Sequence, residues 1–142
     1  MESVLYVMRG LAGVKIFLQE SDGLNSMVDS LNTPTGIGAE EVDVTTIDDF
    51  CSEHEIKEVT FLKIDTEGFG LKVLEGAKGM LSSGKISWVF IEVGFSDQDQ
   101  RHDSFCQVSK VLDHYSFRVF GLYNQWIENS KLEYCNALFK RM

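Results

Sequence analysis

Hydrophobic and polar positions follow a regular pattern through the second half of the chain. The segments 59–64 and 86–91 have the apolar composition of buried strands. Between them, apolar residues recur at helical spacing over 71–81, and Gly84 is placed to stop this helix. A second helical stripe begins after Asp103, which is expected to cap it. Two further strands are predicted at 117–123 and 132–139.

The first part of the chain has a weaker pattern. Strands are predicted at 4–9 and 14–19 around a turn at 10–13, followed by a long polar loop over 20–41. One helical turn is expected within this loop at 26–31. A short strand then covers 42–46, and a helix runs from Ile47 to about Glu53, with Thr46 as its cap and Asp49 three residues later.

The order of elements from residue 59 predicts an α/β fold. Strands and helices alternate up to the final pair of strands, and this alternation favours a parallel sheet with right-handed crossovers. No helix separates the last two strands, so they are expected to close the sheet as an antiparallel pair. Without an internal repeat or a recognisable linker, residues 1–142 are interpreted as a single domain.

Composition narrows the class of protein. With 44% hydrophobic residues the chain is too apolar for disorder, and it has no apolar run of the ~20 residues that cross a bilayer. Three widely spaced cysteines and the absence of a signal-peptide pattern favour the cytoplasm. The formal charge of −9 arises within residues 1–60, because acids and bases balance in the remainder. This acidity argues against nucleic-acid and membrane partners.

Three carboxylates are predicted to meet at one edge of the sheet. Asp65 follows one buried strand, Glu67 lies two residues later, and Glu92 ends the next strand. Ligands in open parallel sheets bind beside the carboxyl ends of the strands. Grouped carboxylates there can shift one another's pKa, bind a cation or accept a proton. The alternative interpretation is that Asp65 and Glu67 simply complement the dipole of the following helix.

Other candidate sites have weaker signals. Gly68-Phe-Gly70 lies between a strand and a helix, but Val73 replaces the third glycine of a dinucleotide loop. Trp126, placed in a predicted loop, is a candidate pocket wall. Asp97, Asp99 and Asp103 are interpreted as part of a solvated loop, and no metal site is expected. Surface or core positions are expected for the three histidines: His54, His102 and His114.

Four segments together resemble the FkbM-type S-adenosylmethionine-dependent methyltransferases. They are Thr46-Ile-Asp-Asp-Phe50, Phe61-Leu-Lys-Ile-Asp-Thr-Glu-Gly68, Val73-Leu-Glu-Gly-Ala77 and Ile91-Glu-Val93. The family's hallmark is similar to "LDDF … LLKIDVEGxE … VLKGA … EV". The resemblance covers about residues 10–94, with weaker matches upstream at Gly10-Leu-Ala-Gly-Val-Lys-Ile-Phe17 and Gly23-Leu-Asn-Ser-Met27.

The resemblance implies a Rossmann-like class I methyltransferase sheet, mostly parallel with an antiparallel closing strand. It implies methyl transfer from S-adenosylmethionine to a hydroxyl group, on a sugar or a natural product. By position, Asp65 and Glu67 are the expected catalytic residues, and Asp65, Thr66 and Gly68 are expected to bind the cofactor. Glu92 and Trp126 are the candidates for binding the substrate, which would be a small molecule or a saccharide.

Two departures from the family pattern leave alternatives open. Gly70 stands where the family usually has a second glutamate. The family's first strands and glycine-rich loop are not recognisable, so the domain is expected to lack its N-terminal strands and the isolated chain can be inactive. One alternative is a non-catalytic module that needs a partner chain or a second copy to complete its sheet. Another is a nucleotide- or cation-binding domain that uses Asp65, Glu67 and Glu92.

Overall fold

A computed structural model describes residues 15–18, 26–28, 38–41, 45–96, 99 and 101–142. These residues form a mixed α/β structure with two sheets. The helices are α1 (Ile47–Glu53), α2 (Gly70–Glu75), α3 (Lys78–Ser82) and α4 (Phe105–His114). The strands are β1 (Lys15–Leu18), β2 (Ser26–Val28), β3 (Gly38–Glu41), β4 (Val59–Ile64), β5 (Ile86–Gly94), β6 (Asp103–Ser104), β7 (Phe117–Glu128) and β8 (Lys131–Arg141).

The larger sheet has the strand order β4-β5-β8-β7, with the short β6 beside β5. The strands β4 and β5 are parallel, whereas β8 is antiparallel to both of its neighbours. Consequently β4, β5 and β7 run in one direction, and β8 is the reversed strand inserted between β5 and β7. The prediction of a mostly parallel sheet with an antiparallel closing pair is confirmed in part: β4 and β5 are parallel and the last two strands, β7 and β8, are antiparallel, but β8 is also antiparallel to β5. The carboxyl ends of β4 and β5 lie side by side, because Ile64 pairs with Ile91.

Alternate positions of the strands build the core. Leu62 and Ile64 of β4 are buried on the same side as Val89 and Ile91 of β5. Fully burying an aliphatic side chain contributes about 1.5–3 kcal/mol, so these positions stabilise the fold. The other fully buried large side chains in the described part are Ile47, Val73, Leu74, Leu81, Ile86, Leu112, Phe117 and Phe139.

The opposite side of the larger sheet carries aromatic side chains. The ring of Phe61 lies 6.0 Å from that of Phe90, and Phe90 lies 6.2 Å from Tyr123. Trp88 meets Phe120 edge-on at 5.1 Å between ring centroids. Phe61, Phe120 and Tyr123 are all exposed. Strand alternation therefore divides the sheet into a buried, mostly aliphatic side and an aromatic, more accessible side.

The described residues of the first part form a small antiparallel sheet of order β2-β1-β3. The loop predicted over 20–41 is therefore wrong at Ser26–Val28 and Gly38–Glu41, which are the strands β2 and β3. The strand predicted at 14–19 is confirmed as β1. The helical turn predicted from residue 26 is wrong over Ser26–Val28, which pairs with β1. One helical turn fixes many dihedral angles for few hydrogen bonds, whereas pairing with β1 satisfies the same backbone groups. The expectations for 4–9 and 10–13 lie outside the described residues.

The helix predicted over 71–81 is two short helices, α2 and α3. The break falls at Gly76, whose carbonyl accepts a hydrogen bond of 3.0 Å from the Asp48 N–H. The capping prediction for α1 is confirmed, since Thr46 Oγ1 accepts a hydrogen bond from the Asp49 N–H at 2.9 Å. The strand predicted at 42–46 does not include Thr46, and residues 42–44 lie outside the described part.

The prediction that Trp126 lies in a loop is wrong. Strand β7 continues to Glu128, and Trp126 pairs with Tyr134 of β8. Asn129 and Ser130 join the two strands with φ angles of 49° and 61°. Such a two-residue turn with both φ angles positive matches the right-handed twist of a hairpin. In the described part of the chain, no helix is long and apolar enough to cross a membrane.

Candidate functional site

A tight turn follows β4 at the edge of the sheet. Glu67 and Gly68 have φ angles of 43° and 88°, and the Phe69 N–H donates to the Thr66 carbonyl at 3.3 Å. This combination is a type I′ turn, which glycine adopts freely but glutamate does not. A left-handed conformation costs a residue with a Cβ about 1 kcal/mol or more. Glu67 is held in it by the surrounding structure, as is common at functional sites.

The neighbours of Glu67 in this turn differ in their surroundings. The Asp65 carboxylate lies 2.9 Å from the Lys63 ammonium, and both side chains are partly exposed. Thr66 is buried, with 7% of its surface exposed. Its Oγ1 atom has no hydrogen-bond partner among the described residues. Burying a hydroxyl without a hydrogen bond lowers the stability of the folded chain. The segment around the turn thus contains an ion pair and a hydroxyl that no described residue uses.

Glu92, near the end of β5, belongs to the same edge. Burial raises the pKa of Glu92 above its ordinary value, while the neighbouring His102 lowers it. The negative charges of Asp65 and Glu67 raise the pKa of Glu92 further. Asp65 and Glu67 therefore lie close enough to Glu92 for their charges to act on its ionisation, as the sequence predicted for carboxylates at the strand ends.

Residues 101–103 contact three different parts of this edge. The Arg101 guanidinium lies 3.4 Å from the Glu67 carboxylate. The Nε2 atom of His102 lies 3.3 Å from the Glu92 carboxylate. The Asp103 carboxylate accepts a hydrogen bond of 3.3 Å from the Leu71 N–H at the start of α2. These three consecutive side chains tie the turn, the end of β5 and α2 to one segment.

The prediction that Asp103 caps the second long helix is wrong. That helix, α4, begins at Phe105, and Asp103 belongs to β6, where it pairs with Val93. This pairing directs its carboxylate towards α2 instead. Burial raises the pKa of Asp103, although hydrogen bonds from the Leu71 and Gly70 backbone lower it in part. Asp103 thus caps α2 across a separation of 32 residues.

Gly70 lies against the same carboxylate. A Cβ atom at Gly70 would approach Cδ1 of Ile91 to 2.6 Å and Oδ2 of Asp103 to 2.9 Å. A side chain therefore cannot be accommodated unless Ile91 or Asp103 moves. The position where the resembled family usually has a second glutamate is closed by packing in this chain.

Asp99 fixes the start of this segment. Its Oδ1 atom accepts hydrogen bonds from the N–H groups of Arg101 at 2.8 Å and His102 at 3.1 Å. Its Oδ2 atom lies 2.7 Å from Nδ1 of His102. Burial opposes ionisation of Asp99, but these hydrogen bonds outweigh it and hold the pKa below its ordinary value. Asp99 is therefore a charged anchor for the backbone and for the imidazole ring.

Trp126 is linked to the carboxylates through stacked rings. Its ring is nearly parallel to that of Tyr134, with an angle of 14° and 6.1 Å between centroids. Tyr134 in turn stacks on His102 at 4.4 Å and 16°. Trp126 is 53% exposed and lies at the outer end of this stack. The structure thus connects both substrate-binding candidates, Glu92 and Trp126, through Tyr134 and His102.

Comparison with known protein families identifies the class of protein. The family model described as the methyltransferase FkbM domain matches residues 11–119 of the 142 residues. The chain therefore belongs to the FkbM methyltransferase family, and the resemblance stated from its motifs is confirmed. No curated protein matches the chain significantly. No solved structure does so either.

The edge formed by Asp65, Thr66, Glu67 and Glu92 fits the charged end of S-adenosylmethionine. That cofactor carries a positive sulfonium, which the carboxylates of Asp65 and Glu67 would attract in competition with Lys63 and Arg101. The Thr66 hydroxyl adds a hydrogen-bonding group that no described residue uses. Residues 45–96, 99 and 101–142 hold no group of three or more His, Cys, Asp or Glu side chains arranged to bind a metal ion.

Sequence reasoning missed Arg101, His102 and Tyr134. His102 was expected on the surface or in the core, and Asp99 in a solvated loop. His102 is largely buried and contacts Glu92, and Asp99 contacts His102. One signal in the sequence points to this segment. It follows Glu92 at the carboxyl end of a parallel strand, where ligands bind. The ring stack was not foreseeable, since it depends on the hairpin that brings Trp126 beside Tyr134.

Proposed function

We propose that this chain carries the methyl-transfer site of an S-adenosylmethionine-dependent O-methyltransferase with a Rossmann-like class I sheet. The observation that carries the proposal is the position of Asp65 and Glu67 beside Glu92 at the adjacent carboxyl ends of β4 and β5, where their charges raise the pKa of Glu92. Membership of the FkbM family supports methyl transfer as the reaction. The order β4-β5-β8-β7 with a reversed β8 supports the class I sheet.

The acidic turn is suited to the reacting end of the cofactor. When bound, S-adenosylmethionine supplies a methyl group on a positively charged sulfur. Asp65 and Glu67 favour positive charge beside them, and either carboxylate can accept the proton that the acceptor hydroxyl loses as its oxygen takes the methyl group. Thr66 offers its unused hydroxyl. Gly68 lets the backbone turn tightly enough for a ligand to approach.

Glu92 and Trp126 are suited to the acceptor. Glu92 is only partly exposed, so its carboxylate can hold a hydroxyl in one orientation against the turn. The exposed Trp126 ring offers a flat apolar surface to the rest of a small molecule. We infer an acceptor of the sugar or natural-product class, with the hydroxyl near Glu92 and a non-polar face on Trp126.

The setting of the reaction is part of the same proposal. All three cysteines are free thiols, and Cys51 and Cys135 are buried. This state is consistent with a single domain that works in the reducing cytoplasm. We infer a small-molecule or saccharide partner rather than nucleic acid or membrane, because the chain carries a formal charge of −9. We also propose that a second copy of this chain, or a partner chain, completes the sheet.

Calorimetric titration tests the assignment of the turn. S-adenosylmethionine and S-adenosylhomocysteine, which has a neutral sulfur in place of the sulfonium, are titrated into the wild type, Glu67→Gln and Glu58→Gln. Glu58 is an exposed glutamate just before β4, at the far end of that strand, and serves as the matched control. Losing one charge near the sulfonium is worth about 1 kcal/mol, so Glu67→Gln should weaken the preference for the charged ligand about fivefold. Glu58→Gln should keep it.

Two results would contradict the proposal. If the wild type and Glu67→Gln prefer S-adenosylmethionine over S-adenosylhomocysteine equally, the turn does not belong to the cofactor site. If the wild type gives no heat, this chain does not bind the cofactor itself. A parallel titration with Mg²⁺ addresses the alternative of a cation site. Binding of Mg²⁺ that disappears in Asp65→Asn would replace the proposed function.

A further inference from the structure

His102 is the most constrained side chain at the candidate site. Only 10% of its side chain is exposed. Nδ1 lies 2.7 Å from Asp99, and the face of the ring stacks on Tyr134 with 4.4 Å between centroids. A hydrogen bond and a stacking contact fix both the position and the rotation of the ring. Such rigidity is unnecessary for a surface histidine.

The fixed ring directs Nε2 at Glu92, 3.3 Å away. Glu92 lies on β5 and His102 on the segment that precedes β6, so the contact joins two parts of the chain at the sheet edge. We propose that His102 is a positioning residue of the methyl-transfer site, which holds the Glu92 carboxyl in the orientation that receives the acceptor hydroxyl. This inference rests on the function proposed above.

The proton count of the contact supports this role. A neutral imidazole has one N–H, yet His102 faces a carboxylate at each of its two nitrogens. With one proton directed to Asp99, a second proton must lie between Nε2 and Glu92 for the contact to be attractive. It resides either on the imidazole or on the carboxyl. Burial favours the protonated carboxyl, whereas the charge of His102 lowers the pKa of Glu92.

Charged groups on several elements act on this pair. Asp65 and Glu67 in the turn after β4 raise the pKa of Glu92, and Arg101 lowers it. These groups lie outside the His102–Glu92 contact. Replacing His102 alone therefore removes its own effect on the pKa of Glu92 and leaves the effects of Asp65, Glu67 and Arg101 in place. The other titratable groups that contact His102 or adjoin it are Asp99, Asp103 and Tyr134.

Two substitutions separate the two nitrogens of the ring. The amide of Asn in His102→Asn can replace Nδ1 and keep the hydrogen bond with Asp99, but it does not reach Glu92. The longer amide in His102→Gln can replace Nε2 and donate to Glu92. A positioning role therefore predicts that His102→Gln retains much of the methyl-transfer rate, whereas His102→Asn loses it by at least about tenfold. A merely structural histidine would not distinguish the two variants in this way.

Carboxyl NMR of the full chain gives a readout that does not need activity. The Glu92 signal, assigned by its loss in Glu92→Gln, is titrated in the wild type and both variants. Its midpoint should rise in His102→Asn, and less in His102→Gln, because the lowering effect of His102 is lost. An unchanged midpoint in both variants would overturn the contact. A shifted midpoint with equal transfer rates in all three proteins would overturn the positioning role.

The two measurements distinguish failure of the proposed function from failure of the inference about His102. If the wild type transfers no methyl group while the Glu92 midpoint still shifts, the contact exists and the methyltransferase proposal is wrong. Asp99→Asn serves if the His102 variants fail to fold, since its amide oxygen can keep the backbone hydrogen bonds of Asp99. It places a neutral amide N–H opposite Nδ1 in place of the carboxylate oxygen, which removes the charge-assisted contact that holds the ring, so it should also raise the Glu92 midpoint and lower the transfer rate. No effect of Asp99→Asn on either quantity would overturn the inference.

Discussion

The carboxylate of Asp48 caps α3 through the backbone of Gly79. Oδ2 of Asp48 accepts a hydrogen bond of 2.7 Å from the Gly79 N–H, and Oδ1 accepts one of 2.9 Å from the Met80 N–H. The backbone N–H of Asp48 also donates to the Gly76 carbonyl at 3.0 Å. Asp48 thereby joins α1 to both sides of the break between α2 and α3. The first motif of the resemblance, Thr46-Ile-Asp-Asp-Phe50, therefore contains a residue with a structural role, distinct from the candidate site.

Replacing Asp48 should therefore affect stability rather than binding. Asp48→Ala removes both acceptors from the start of α3, which is expected to lower the free energy of unfolding by about 1–2 kcal/mol. Asp48→Asn keeps one acceptor oxygen and should lie between the wild type and Asp48→Ala. Urea denaturation followed by circular dichroism measures the difference. A loss of cofactor affinity without a loss of stability would contradict the structural role.

The unused hydroxyl of Thr66 should cost stability. Thr66→Val replaces the buried hydroxyl with a methyl group of similar shape, so we expect the free energy of unfolding to rise by about 1–3 kcal/mol. The same change should weaken binding of S-adenosylmethionine, because the turn loses a polar group. Denaturation and calorimetric titration measure the two effects. Thr66→Ser retains the hydroxyl and is the control for binding, and a destabilised Thr66→Val would show that the hydroxyl has a partner in the folded chain.

We expect any side chain at position 70 to destabilise the folded chain. Gly70→Ala places a Cβ within 2.6 Å of Ile91 and 2.9 Å of Asp103, so it should lower the free energy of unfolding by about 1–3 kcal/mol. Gly70→Glu, which introduces the residue usual in the family, should be worse because it also adds a charge beside Asp103. Thermal denaturation ranks the variants. Wild-type stability in Gly70→Glu would mean that this edge of the sheet has room for the second glutamate.

Glu92 should make the stability of the protein depend on pH. Its raised pKa means that the folded chain keeps the proton to higher pH than the unfolded chain, whose value is near 4.5. The free energy of unfolding therefore falls as pH rises from about 4.5 through the raised pKa. Glu92→Gln cannot lose a proton, so its stability relative to the wild type should increase over the same range. Denaturation at a series of pH values measures this difference, and a constant difference would contradict the raised pKa.

Much of the main sheet could be predicted because its signals are local. The strand β4 matches its predicted bounds, and α1 begins and ends where the capping pattern placed it. The proximity of Asp65, Glu67 and Glu92 followed from a rule about parallel strands. Each of these inferences depends on residues close together in the chain, where periodicity and capping are informative.

Several of the errors concern contacts between distant residues. Asp103 caps α2, 32 residues earlier, although its local sequence favoured a cap for the next helix. Asp48 accepts a hydrogen bond from the backbone of Gly79, 31 residues later. The apolar pattern around Gly79 predicts one continuous helix, but the structure has two. His102 had no motif to mark it, because its partners Glu92 and Tyr134 reach it only when the sheet is assembled. Local propensity cannot indicate such contacts, and tertiary structure decides them.

Transfer of a labelled methyl group tests the central claim most directly. The chain is incubated with S-adenosylmethionine labelled at its methyl group and with sugars and hydroxylated natural products. If Asp65 and Glu67 act at the reacting end of the cofactor, the wild type and Glu58→Gln should label an acceptor oxygen. Asp65→Asn and Glu67→Gln should each do so at least about tenfold more slowly. Equal rates in all four proteins, or no transfer by the wild type to any hydroxyl, would contradict the account.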